Sequence, residues 1–323
     1  MATAEVRATT KTRTDPLSGL AAFVRSTVRD FQRNKLVYLM LLPVVGYYLI
    51  FYYGPMYGAQ IAFRDFEPVL GSWKSPWVGW ENFKEFFNSP YFTRLIRNTL
   101  SINVLDVVLG FPAPIILALM INEIRNNYFK SSVQTISYQP HFISLVVVVG
   151  MMMDFFARDG LVNQLLEPLG VKAVLWFQRP GIFQPLYVLS GIWQHVGWGS
   201  IIYLAAITTI DPTLYEAAQV DGAGRLRQIV HVTLPGIAPT IIILLILRLG
   251  QMMTVGYEKI ILMYNPLTYS TADVISTYVF RKGILEMNYS FSSAAGLFNS
   301  VINFALLVLA NRISRRLNET SLW

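Results

Sequence analysis

The chain has 323 residues, 54% of them hydrophobic and only 14% charged, roughly half the charged share of an ordinary soluble domain. It has no cysteine, which excludes disulfide frameworks, thiolate metal sites and cysteine nucleophiles together. Its histidines, His141, His195 and His231, stand too far apart for a local metal motif, so a zinc or cofactor enzyme has little to build on.

The net charge of +7 does not point to nucleic acid once its placement is considered. Arg7, Lys11, Arg13, Arg25, Arg29, Arg33 and Lys35 precede the first long apolar run, and Arg312, Arg315 and Arg316 follow the last. Basic residues clustered beside spans set topology by the positive-inside rule, which predicts both termini on the cytoplasmic side.

Residues 1–35 are polar and basic, and 17–34 suit a short amphipathic helix on the membrane surface. A spanning helix needs about 20 apolar residues, and about six segments meet that length: 36–57, 98–121, 134–156, 183–208, 236–257 and 291–311. Pro43 and Pro55 lie in or at the end of the first, which a membrane helix tolerates. The polar stretch 58–97, with Trp73, Trp77 and Trp80, suits an external cap. Residues 122–133 form a short inside loop, 157–182 and 258–290 outside segments, and 312–323 an inside tail. The expectation is an all-α integral membrane protein with one transmembrane domain over 36–311.

The inside loop 209–235 carries the main signal. Asp211 is a good N-cap and Pro212 fits the first helical position, where its missing N–H costs nothing. Leu214, Glu216, Ala217 and Ala218 favour helix, and Gly222 or Gly224 can close it in a left-handed cap. This predicts a helix of about ten residues between two spans, its small alanines open to close approach by a partner.

Glu216-Ala217-Ala218, Gly222 four residues later, then Val232, Leu234 and Pro235 resemble the EAA loop of ABC importer permeases. That pattern reads Glu-Ala-Ala, three residues, Gly, nine residues, Ile, one residue, Leu-Pro. Only Val232 for Ile departs from it. The resemblance implies a type I ABC importer permease fold in the bacterial inner membrane. It implies that the loop is a coupling helix: Glu216, Ala217, Ala218 and Asp221 meet an ATPase, Gly222 permits the turn, and Leu234 and Pro235 fix the return into the membrane. It also implies partners: a second, homologous permease chain, two ABC ATPase subunits and an extracytoplasmic solute-binding protein. The sequence has no G-x-x-x-x-G-K-[ST] loop, so no cofactor is expected here, and ATP with Mg is expected on the partner subunits.

Residues 53–63 (YGPMYGAQIAF) and 264–278 (YNPLTYSTADVISTY) look like oligosaccharide and polysaccharide permeases, relatives of the maltose-type importers, with the likeness pointing toward alginate importers. A sugar path needs polar side chains for hydroxyls and aromatic faces for rings. Gln194 and Trp198, with His195 beside them, Arg248 and Gln251, and Asn299 and Asn303 fall at helical spacing in three spans and are candidates to line one cavity. Arg248 is costly in a span, so it is expected to face a substrate carboxylate or to pair with Asp106 or Asp154. Interhelical hydrogen bonding competes with substrate contact for the Asn and Gln residues, and packing competes for His195. A secondary transporter or channel would want an acidic or histidine relay in its spans and would leave the loop unexplained. A permease for a non-sugar solute is the nearer alternative.

Overall fold

The protein, as a computed structural model, is described over residues 30, 32–318 and 322; most of the surface helix expected over 17–34 lies outside the described residues. Among them, the helical runs Lys35–Phe63, Phe92–Asn122, Arg225–Leu249 and Tyr289–Arg316 are long and apolar enough to cross a bilayer. We label the principal helices α1 (Lys35–Tyr48), α2 (Glu81–Asn88), α3 (the run Phe92–Asn122), α4 (Asn127–Phe142), α5 (Leu145–Phe155), α6 (Pro180–Thr208), α7 (Pro212–Val220), α8 (Arg225–Leu249), α9 (Tyr257–Met263), α10 (Ile275–Phe280) and α11 (Tyr289–Asn318). Residues up to Ala59 form one compact unit and those from Gln60 a second. In the first, α1 exposes Leu36, Met40, Leu42 and their neighbours along its length.

α6 is long enough to span, with 29 residues, but its polar members, among them Gln194, His195 and Ser200, keep it out of the most apolar set. It is the central strut of the second unit: Phe183, Leu186 and Val188 pack with Ile102, Val149 and Ile260 in one core cluster, and Tyr203 and Ile207 pack with Ile115, Ala118 and Ile237 in another. A third cluster joins α2, α3, α10 and α11 through Phe86, Leu95, Tyr278 and Phe291. Where α6 crosses α4, a Cβ on Gly197 would fall onto the Ser137 carbonyl. Gly197→Ala is therefore expected to cost about 1–3 kcal/mol through forced separation of two backbones, read as a lowered thermal midpoint of the purified protein. An unchanged midpoint would mean the two helices do not meet there.

Two expected spans need correction. The segment 134–156 is not one helix: α4 begins at Asn127, capped by the Asn126 side chain, and α4 and α5 meet at a bend of 99°. Pro140 lacks an N–H to continue the ladder, and Ser144 restarts it by accepting the Val147 N–H at 3.4 Å. The span expected over 236–257 is displaced toward the N-terminus, because α8 starts at Arg225 and stops at Leu249. Beyond it the chain turns, with the Met253 N–H donating to Asn303 Oδ1 at 2.8 Å, and Gly250 packs so closely on Leu307 that a Cβ would lie 2.7 Å from it.

Three of the helical runs contain a π turn two residues before a proline: Leu49–Tyr53 before Pro55, Asp106–Gly110 before Pro112 and Ile229–Thr233 before Pro235. The physical reason is shared. Proline removes one donor and crowds the carbonyl of the preceding turn, and widening that turn by one residue relieves both.

The stretch 258–290, expected as a plain outside segment, is packed structure. Asp273 is fully buried and accepts from Arg281 Nη2 at 2.8 Å, Arg94 Nη2 at 3.3 Å and Thr277 Oγ1 at 2.8 Å. Asn98 Nδ2 donates to the Asp273 carbonyl at 2.9 Å. One acid thus ties the start of α3 to α10.

Candidate functional site: a capped loop helix and a charged cavity

α7 is built by its own ends. Asp211 accepts the Thr213 N–H at 2.9 Å, Pro212 occupies the first turn, and the Thr213 N–H and hydroxyl hold the Asp211 carboxyl below the usual carboxylate range. A depressed acid contributes above its unfolded pKa and is lost as pH falls through the folded one, so this cap is intact at neutral pH and fails only in strong acid. At the other end Gly222 adopts φ 73°, while Gly224 does not (φ −68°), which settles which glycine closes the helix. The Ala223 N–H reaches the Ala218 carbonyl at 2.8 Å and the Gly222 N–H the Gln219 carbonyl at 3.0 Å, the paired bonds of a Schellman cap.

The helix is bolted at one point. Tyr215 Oη lies 3.0 Å from Thr233 Oγ1 on α8, and Thr233 is buried. Leu234 packs in the cluster with Ile207 and Ile237, and Pro235 stands just past the π turn. Glu216, Ala217 and Asp221 face outward, together with Leu214, Val220 and Leu226, the last two 88% and 75% exposed.

Inside the second unit, α3, α6, α8 and α9 border an open-mouthed cavity of about 390 Å³ whose polar lining includes Asn103, Asp106, Tyr187, His195, Arg248 and Lys259. Arg248 pairs with Asp106. Asp106 opens the π turn, its carbonyl accepting the Phe111 N–H at 2.9 Å. A Cβ on Gly110 would lie 2.6 Å from its carboxylate, so the missing side chain leaves room for the acid.

The expected single sugar-lined face does not form. Of the seven residues proposed from helical spacing, His195 and Arg248 line this cavity. Gln194 is buried and donates to the Ile143 carbonyl at 3.0 Å, holding the α4–α5 bend. Trp198 stacks on His141 at 4.6 Å, and His141 Nδ1 is 3.1 Å from His195 Nδ1, so two histidines that sequence distance kept apart do meet. Gln251 lies in the turn after α8 rather than one helical turn from Arg248. Asn303 is occupied by that same turn, accepting from Met253 and donating to Thr254 Oγ1 at 2.8 Å. Asn299 faces a different cavity, with Tyr257 and Phe280, and its Oδ1 has no hydrogen-bond partner. Lys259 was missed because it follows the expected span; the signal was a lone lysine running into Ile260, Ile261, Leu262 and Met263.

A bundle of apolar helices around a charged cavity, with a capped helix held out between two of them, is a transport permease. Residues 110–319 match the family described as binding-protein-dependent transport system inner membrane component, and the chain belongs to that family. It is 46% identical over 299 residues to Protein LplB of Bacillus subtilis, covering 92% of this chain and 94% of the relative. It is 43% identical over 292 residues to the polygalacturonan/rhamnogalacturonan transport system permease protein YteP of the same organism, covering 90% and 91%. Among solved structures it is similar to a chain of a bacterial ABC transporter involved in import of the acidic polysaccharide alginate, at 46% identity and a TM-score of 0.84, covering 91% of this chain and 99% of that one. The same holds, at 45% identity and TM-score 0.84, for the alginate transporter in complex with an alginate pentasaccharide-bound periplasmic protein. The fold is that of type I ABC importer permeases, and the family match, with no call for an ion relay, replaces the secondary-transporter alternative.

Proposed function

We propose that this chain is the translocating subunit of an ATP-driven importer of acidic oligo- or polysaccharides in the bacterial cytoplasmic membrane. The observation that carries the substrate class is joint similarity above 40% to permeases for polygalacturonan/rhamnogalacturonan and for alginate, both uronate-containing polymers. The charge of the cavity agrees: Arg248 and Lys259 outnumber Asp106.

In this reading α7 docks on a separate ATPase that binds ATP and Mg, through Glu216, Ala217, Ala218 and Asp221, with Gly222 closing the helix and Leu234 and Pro235 relaying its motion into α8. Both termini lie in the cytoplasm, a second and different permease chain completes the path, and two ATPases drive it. A solute-binding protein delivers the sugar from outside, as the periplasmic protein bound to the alginate transporter suggests. The test is ATP hydrolysis by the assembled complex in liposomes, with binding protein loaded with acidic or neutral oligosaccharides. Stimulation by the acidic sugars is the expected result; stimulation by neutral sugars alone would remove the acidic substrate and leave the permease.

A further inference from the structure

The charged cavity holds a cation that, among the described residues, has no acid in ion-pair contact with it. Asp106 is engaged by Arg248. Lys259, on α9, is only 7% exposed, and among the described residues no Asp or Glu comes within ion-pair distance of it. Its Nζ donates to the Tyr187 carbonyl at 2.9 Å and sits 4.6 Å from the centroid of the Tyr187 ring. One carbonyl and one ring face orient the ammonium but satisfy only part of its three N–H donors. An ammonium enclosed in this way is costly without a counter-charge. It is retained beside a cavity large enough for a small ligand.

We infer that Lys259 is the residue through which the cavity takes the carboxylate of a passing uronate. Arg248 is the residue that sequence alone favoured, but its charge is spent on Asp106, and the pair holds the wall between α3 and α8. Lys259 differs in kind: it has no ion-pair partner of its own among the described residues, and with Arg248 and Lys259 set against the single Asp106 the cavity is left net positive, a field that favours anions. Tyr187 fixes the amine from below, so a carboxylate meets a preset donor. The inference rests on the acidic-saccharide reading above and adds the group that reads the acid.

The test is uptake of an oligogalacturonate, and of the neutral oligogalactoside made by reducing its carboxyl groups, by proteoliposomes carrying the complete transporter. Wild type, Lys259→Met and Lys259→Arg are compared, with ATP hydrolysis in the absence of sugar and the thermal midpoint as controls. Expected is a loss of at least about tenfold in oligogalacturonate uptake for Lys259→Met, the scale of one charge-assisted hydrogen bond. Lys259→Arg should keep most of the uptake, and neither control should fall in either variant, the midpoint of Lys259→Met holding or rising because a costly buried charge is gone. Wild-type uptake by Lys259→Met overturns the inference. So does a loss in which sugar-free hydrolysis or the midpoint falls with it, since that marks a packing role. Wild type that takes up the neutral sugar and refuses the oligogalacturonate sinks the acidic reading itself, and the inference with it, and is told apart by needing no variant.

Discussion

Asp273→Ala is expected to destabilise the protein by about 3–5 kcal/mol, the cost of leaving two cations without the buried acid they share. Arg94 and Arg281 both reach the same carboxylate oxygen, and the aspartate is fully buried. Each guanidinium already carries one buried nitrogen without an acceptor, Arg94 Nε and Arg281 Nη1, and the tyrosine rings beside them do not replace a full counter-charge. The loss falls on the joint between α3 and the 264–278 stretch, because Asn98 grips the backbone of residues 270 and 273. A thermal melt of the purified protein, with limited proteolysis of residues 264–285, checks it. Protection and midpoint both at wild-type values would show the triad to be solvent-screened decoration.

Gly222→Val is expected to lower sugar uptake by roughly tenfold or more while the membrane helices stay folded. A β-branched residue at φ 73° carries a strain of about 1–2 kcal/mol or more, and each ~1.4 kcal/mol diverted from the docked shape is a factor of ten. The strain is local, since nothing lies within 4 Å of a Cβ there; the chain relieves it by reshaping the end of α7. Uptake and sugar-stimulated ATP hydrolysis are the readouts, with Gly222→Asn as the comparison because asparagine tolerates the left-handed region. Equal, wild-type uptake in both would mean that the shape of this helix end is irrelevant to transport.

How far the sequence revealed this molecule follows from the range of the interactions involved. α7 was legible nearly to the residue: Asp211, Pro212 and Gly222 act on neighbours within a few positions. Apolar length likewise marked α1, α3, α6 and α11, and it found α8 with both ends placed too far along the chain. The bend between α4 and α5 was not legible, although Pro140 and Ser144 announce it, because membrane helices carry proline without breaking often enough to blunt the signal. The Asp106–Arg248 pair joins positions 142 apart in sequence; sequence offered Asp106 and Asp154 alike, and only the fold chooses. The residues expected to line one sugar cavity are dispersed for a different reason. Helical spacing places residues on a face, but the face of Gln251 ended with α8, and Asn303 was already holding that end.

The π turn at Asp106–Gly110 has a consequence for anyone comparing or engineering this chain. An added residue advances the azimuth by about 100°, so a single wheel drawn through α3 assigns one half to the wrong neighbours. Before the turn the inward positions are Leu95, Asn98, Thr99, Ile102 and Asn103; after it they are Ile115, Ala118 and Ile121. Lipid-facing and path-facing substitutions should accordingly be planned as two separate phases, with Asp106 at the seam.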